Sequence, residues 1–187
     1  MAEAIILAGG KSTRMGTNKM LLMYKGHPLL WHTINSVAPF VSRVIVVTGH
    51  YDQEIRTALS DLDVTFVYNK DYEKGMFSSV LAGVKETKED FLIIPGDCPF
   101  IQKSTFEAIL SSKEDIRYPK YHNVEGHPLY ISKKYKEELL RYGLDNNLKM
   151  FRDSKKCEII IVEDKNIAMN LNDINDYANI DISLKGR

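Results

Sequence analysis

The chain has 187 residues, and 25 Lys+Arg are balanced by 25 Asp+Glu, giving a formal net charge of zero. The length suits a single domain over residues 1–187, large enough to bury roughly 70% of its unfolded surface without disulfide or metal staples. Neutrality excludes a generally basic nucleic-acid binder but leaves room for a local phosphate pocket.

In chain order, the first apolar run is Ala4–Leu7, followed by Val44–Val47, Val64–Tyr68 and Phe91–Ile94. These runs are short, continuous and rich in branched residues, as expected for strands buried on both faces of a parallel sheet. Helical spacing lies between them. Pro28–Phe40 places Leu29, Leu30, Ile34, Val37 and Ala38 on one face, with Pro28 suited to the first turn. Asp52 is expected to cap Gln53–Leu59, Ser78 or Ser79 a helix through Val84, and Ser104 a helix over Thr105–Leu110. The second half reads as a strand at Pro128–Ile131, a helix at Lys133–Tyr142, a strand at Ile159–Val162 and a helix at Ile174–Ile180. The alternation predicts an open α/β sheet with right-handed crossovers. The opening MAEAIILAGG lacks the basic stretch of a signal peptide, and no apolar run approaches the roughly 20 residues of a membrane span. Cys98 and Cys157 are too few for a disulfide framework or a four-thiolate zinc site. The expectation is a reducing, cytoplasmic setting without a membrane partner.

Five segments carry chemistry. The first is Leu7-Ala8-Gly9-Gly10-Lys11-Ser12-Thr13-Arg14-Met15-Gly16-Thr17-Asn18-Lys19. It begins where the first strand ends, the place where open α/β sheets bind ligands. Gly9, Gly10 and Gly16 allow close backbone approach, backbone N–H groups suit anionic oxygens, and Arg14 and Lys19 add full positive charges. The spacing fits neither GxxxxGK(S/T) nor GxGxxG. The second is Pro95-Gly96-Asp97-Cys98-Pro99, again at a strand end. Asp97 is placed either to hold Mg²⁺ against substrate phosphates or to bond its own turn. The third is Gly75-Met76-Phe77-Ser78-Ser79, either an ordinary helix cap or a contact for ribose, base or phosphate. The fourth is Gly126-His127-Pro128, where His127 either meets an acceptor or is structural. The fifth is Asn170-Leu171-Asn172-Asp173, a polar cluster that either completes a metal site or caps the last helix. Cys98 reads as a small buried side chain.

These motifs, in this order from residue 5 to residue 177, resemble the nucleotidylyltransferases with a Rossmann-like fold, in the molybdenum-cofactor branch (MobA/MocA-like). The Gly75-Met76-x-Ser78-Ser79 and Gly126-His127-Pro128 elements are similar to the cytidylyl subgroup. The resemblance implies a three-layer Rossmann-like fold, mostly parallel, with helices on both faces. It implies that Leu7, Ala8, Gly9, Gly10, Arg14 and Lys19 bind the nucleoside triphosphate, with Gly75, Ser78 and Ser79 near base and ribose. Arg14, Lys19 and Asp97 would form the catalytic set, Asp97 and Asn172 would hold Mg²⁺, and His127 would face the acceptor. The implied partners are an NTP (CTP or GTP) and a phosphorylated small molecule, best matched by molybdopterin. A transient contact with a molybdoenzyme belongs to the same set. Three departures bear on substrate choice. Ala8-Gly9-Gly10 stands where the cytidylyl subgroup usually has Ala-Ala-Gly, Gly-Gly being commoner in the guanylyl subgroup. Asn170-x-Asn172 stands for Asp-x-Asp, and Gly143-Leu144-Asp145 is a loose version of a Gly-Asp turn. A sugar-phosphate acceptor on the same scaffold and a non-catalytic nucleotide-binding chaperone are the rival readings.

Overall fold

The computed structural model describes residues 1–11, 18–144 and 146–169. Its strands are β1 (Glu3–Ala8), β2 (Met23–Tyr24), β3 (His27–Pro28), β4 (Val44–Thr48), β5 (Thr65–Tyr68), β6 (Phe91–Pro95), β7 (Ile116–Tyr121), β8 (Val124–Glu125), β9 (Leu129–Ile131) and β10 (Glu158–Ile161). Its α-helices are α1 (Leu29–Val37), α2 (Asp52–Ala58), α3 (Met76–Glu86), α4 (Lys103–Ser111), α5 (Lys136–Arg141) and α6 (Leu148–Asp153).

Eight of these strands form one sheet in the order β10-β7-β9-β6-β1-β4-β5, with β8 paired to β7, while β2 and β3 form a separate hairpin. The run β6-β1-β4-β5 is parallel, as is the β10–β7 pair. Strand β9 runs against both of its sheet neighbours, β6 and β7, and the two-residue β8 runs against β7. The sheet is therefore mostly parallel, in agreement with the continuous apolar runs.

The strand side chains alternate between two cores. Ala4, Ile6 and Ala8 of β1 join Ile34, Ile55 and Phe106 of α1, α2 and α4. Ile5 and Leu7 point the other way, joining Val80 and Val84 of α3, Leu139 of α5 and Phe151 of α6. Helices thus cover both faces, giving the three layers. A strand with no solvated face has no polar positions to alternate, which is why β1, β4 and β6 read as unbroken apolar runs.

The expected caps are corrected. Asp52 is the first residue of α2 rather than its cap, and its carboxylate takes the Thr48 hydroxyl and Arg56 Nε. Helix α3 starts from Gly75, whose φ of 96° suits glycine, so Ser78 and Ser79 fall within the first turn. Helix α4 starts after Gln102, not Ser104. There the buried carboxylate of Asp164 accepts from Gln102 N and Thr105 Oγ1, both at 2.8 Å, replacing a local cap from a distance. The segment read as one helix from Lys133 to Tyr142 is a 3-10 turn over Lys133–Tyr135 followed by α5. Strand β7, helix α6 and the β2–β3 hairpin were not expected. The helix read at Ile174–Ile180, and the positions Arg14, Gly16, Asp145, Asn170, Asn172 and Asp173, lie outside the described residues.

Candidate active site

The carboxyl ends of β1 and β6 converge with the start of α3 around a cleft of about 280 Å³. Close backbone packing sets its floor. A Cβ at Gly49, just past β4, would stand 2.5 Å from Gly9 O and 2.9 Å from Gly9 Cα, so the loops leaving β1 and β4 can touch because position 49 is glycine. A Cβ at Gly96, after β6, would meet Met20 Sδ at 2.9 Å and Leu7 O at 3.0 Å. Gly96 N donates to Leu7 O at 2.9 Å, and Thr33 Oγ1 of α1 donates to Gly96 O at 2.8 Å. The turn that carries Asp97 is thereby fixed from both sides.

Lys19 enters from a 3-10 turn, Lys19–Leu21, that Asn18 caps through a bond from Met20 N. Its Nζ lies 2.5 Å from Asp97 Oδ2, with side-chain exposures of 20% and 9%. This is a charge pair within the cleft wall, where limited solvent screening strengthens it. Next to it, burial and then the Asp97 charge push the Cys98 thiol well above its usual range. Cys98 is fully buried, so its sulfur stays protonated and unreactive, as the sequence suggested.

The α3 side of the cleft is neutral. Ser79 lines it, with Gly75, Met76 and Tyr72. Ser78 sits behind, its hydroxyl shared between Asp71 O at 2.9 Å and Gly75 O at 2.8 Å. At the mouth, Lys11 Nζ reaches Glu73 Oε1 at 2.6 Å, bridging the loop after β1 to the turn before α3.

His127 approaches from β9. Gly126 is pressed against the turn over Lys165–Ala168, where a Cβ would stand 2.4 Å from Ile167 O, and His127 N donates to that same oxygen at 2.7 Å. The His127 Nδ1 is buried and has no hydrogen-bond partner among the described residues. Burial holds the ring's pKa down, to about 4, while the Asp97 charge pulls it upward and the Arg152 charge adds a small push down. The ring is therefore neutral at pH 7 and electrostatically coupled to Asp97.

Of the residues singled out in the sequence, the cleft gathers Leu7, Gly9, Gly10, Lys19, Gly75, Ser79 and Asp97 on its wall. Ala8 lies in β1 below it, Ser78 is one residue behind, and His127 is off the wall. Met76 and Pro95, named in the motifs but given no role, also line it, as do Met20 and Tyr72, which belong to none of the five segments. No local pattern marks Met20 or Tyr72, and only proximity in the fold reveals them. Among the described residues there is no cluster of three His, Cys, Asp or Glu able to hold a metal unaided, and no helix is long and apolar enough to cross a membrane.

Residues 4–158 match the model of the MobA-like NTP transferase domain. This chain belongs to that family. Its members are nucleotidyltransferases, and the cleft sits where that chemistry requires it, beyond the carboxyl ends of a parallel sheet. The molybdenum cofactor cytidylyltransferase of Escherichia coli is 34% identical over 134 residues, covering 70% of each chain. The bifunctional protein GlmU of Francisella philomiragia is 36% identical over 115 residues, 59% of this chain but 25% of that longer protein. Among solved structures, a nucleotidyl transferase from Methanothermobacter superposes with a TM-score of 0.85 at 25% identity, covering 100% of this chain and 99% of the other.

Proposed function

We propose that this protein is a Mg²⁺-dependent cytidylyltransferase that moves CMP from CTP onto the terminal phosphate of molybdopterin or its molybdenum form. The acceptor phosphate oxygen attacks the α-phosphorus in line, a new phosphoanhydride bond forms, the α–β bond breaks and pyrophosphate leaves. The observation that carries the reading is the Lys19–Asp97 pair at one end of a cleft whose other end is neutral and glycine-lined. The E. coli relative's cytidylyl activity supports the choice of donor and acceptor.

The donor set suits Mg²⁺, which typically keeps its waters and takes one or two carboxylates together with substrate phosphates. Asp97 would hold it, with Asn172 as the second ligand implied by the resemblance, and the ion would offset phosphate charge. Lys19 presents its ammonium to the triphosphate, and Arg14 is assigned to the same charge. Gly9 and Gly10 give backbone N–H groups close approach to the nucleotide. No covalent protein nucleophile is required, because positioning and charge stabilisation lower the barrier. His127, kept neutral, is assigned to the acceptor side. The fully buried Cys98 and the half-buried Cys157, both free thiols, suit the cytoplasmic setting that completes the proposal.

The test is pyrophosphate release with each of the four NTPs, with and without molybdopterin, for wild type and Asp97→Ala. CTP- and molybdopterin-dependent release that the substitution abolishes is expected. Preference for GTP would replace the donor, and turnover only with a sugar phosphate would replace the acceptor. NTP binding without turnover on any acceptor would leave the chaperone reading.

A further inference from the structure

Asn69 belongs to none of the motifs discussed above, yet it governs a hydroxyl on the cleft wall. It follows β5 directly, and only 4% of it is exposed. Its Oδ1 accepts from Asp71 N at 3.0 Å, which turns the amide nitrogen toward α3. There Nδ2 donates to Ser78 Oγ at 2.8 Å and to Ser79 Oγ at 3.0 Å, using both of its protons. The two serines differ in what remains. Ser78 passes its own proton to Asp71 O and Gly75 O. Ser79, 5% exposed, accepts from Asn69 and donates to no described residue.

A buried hydroxyl proton without an acceptor is costly, so Ser79 needs an oxygen from whatever fills the cleft. The surroundings say which kind. Glycines, Tyr72 and Met76 border Ser79, while the charged pair Lys19 and Asp97 marks the phosphate end. A neutral donor in a neutral wall fits a neutral acceptor. Glycine at position 9 lets the loop after β1 pass close to this hydroxyl, since a Cβ there would stand 2.8 Å from Ser79 Oγ.

We infer that Asn69 is a positioning residue that compels Ser79 to act as a hydrogen-bond donor, selecting a nucleotide by a neutral oxygen of its nucleoside, either a ribose hydroxyl or a base carbonyl. The inference rests on the nucleotidyl-transfer reading and extends it to a residue that never touches the substrate. Aspartate at position 69 keeps the shape but can only accept, so the Ser79 proton would turn inward and leave the cleft.

The experiment measures NTP binding by titration calorimetry, which needs no acceptor, and adds KM and kcat once an acceptor is known. Ser79→Ala is expected to weaken binding of the preferred NTP roughly 3- to 10-fold, the worth of one neutral hydrogen bond. Asn69→Asp is expected to do the same, the double variant to be no worse than either single, and kcat to stay near wild type. A purely structural role would lower kcat and melting temperature together, and the two effects would add. Two analogues locate the acceptor, the 2′-deoxynucleotide for the ribose and a 2-thiopyrimidine nucleotide for the base. The analogue that wild type rejects and Ser79→Ala does not is the one that lacks it. Unchanged binding in Asn69→Asp, full additivity, or undiminished discrimination in Ser79→Ala overturns the inference while the functional reading stands. The Ser79→Ala arm decides the matter even if Asn69→Asp fails to fold. Wild-type protein that binds no NTP overturns both.

Discussion

Lys19 Nζ and Asp97 Oδ2 lie 2.5 Å apart although 78 positions separate the two residues in the chain. One arrives from the loop after β1 and the other from the turn after β6, so the pair forms only when those adjacent strands are in register. Asp97→Asn keeps the shape and removes the charge. We predict native-like melting and a kcat for pyrophosphate release lower by about 10²–10³-fold, the range for loss of one charge-stabilising group. Lys19→Gln should raise KM for the NTP as well, because the phosphate contact proposed for Lys19 is lost with the cation. Steady-state kinetics on both variants checks this.

Gly83 lies in the middle of α3 where the helix crosses β1 and β4. A Cβ there would stand 2.4 Å from Ile5 Cγ2 and 2.9 Å from Val47 Cγ2. Both neighbours are fully buried branched side chains with no space to retreat. Gly83→Ala is therefore expected to destabilise by about 1–3 kcal/mol through overpacking, despite alanine's better helix propensity. Urea unfolding measures it, and a stability equal to wild type would contradict the packing described.

His127 makes stability depend on pH. Burial lowers its pKa from 6.5 to about 4 in the folded chain. Between these values the unfolded chain binds the proton and the folded chain does not, so stability falls as pH drops from about 6.5 toward 4. His127→Gln removes the titrating ring, and its melting temperature is expected to fall less than wild type's over that window. Melting curves from pH 7.5 to 4.5 in metal-free buffer make the comparison.

The two thiols should separate by accessibility. Cys98 is fully buried with its thiol held well protonated, whereas Cys157 is half-buried, with its thiol raised chiefly by burial. A thiol reagent at pH 8 is expected to modify Cys157 slowly in the native protein and Cys98 only after unfolding. Transferase activity should survive modification of Cys157, because no step uses a sulfur. Mass spectrometry of the labelled chain reads both outcomes.

The parallel half of the fold is legible in the sequence because β1, β4 and β6 are enclosed on both sides and had to be continuously apolar. Strand β7 is not, since Ile116–Tyr121 contains Arg117, Pro119 and Lys120. Its burial depends on partners outside the strand that no local pattern announces. Arg117, 4% exposed, donates to the carbonyls of Ile109 and Glu114 and stacks 3.3 Å from the centre of the Tyr130 ring. The same holds at the cleft. Gly9, Lys19 and Asp97 stand out at strand ends, whereas Asn69 looks like any polar residue after a strand until its amide is seen holding two serines.

The reversal of β9 has an engineering consequence. A parallel strand brings to the carboxyl end of the sheet whatever follows its last residue, but β9, running the other way beside β6, brings there what precedes its first, namely His127 and Pro128. The β8–β9 connection at Gly126–Pro128 is thus a short cassette, separate in sequence from the loops after β1 and β4 and from the start of α3. If His127 faces the acceptor as proposed, exchanging this cassette between relatives is expected to change acceptor preference while leaving the nucleotide-binding loops in place.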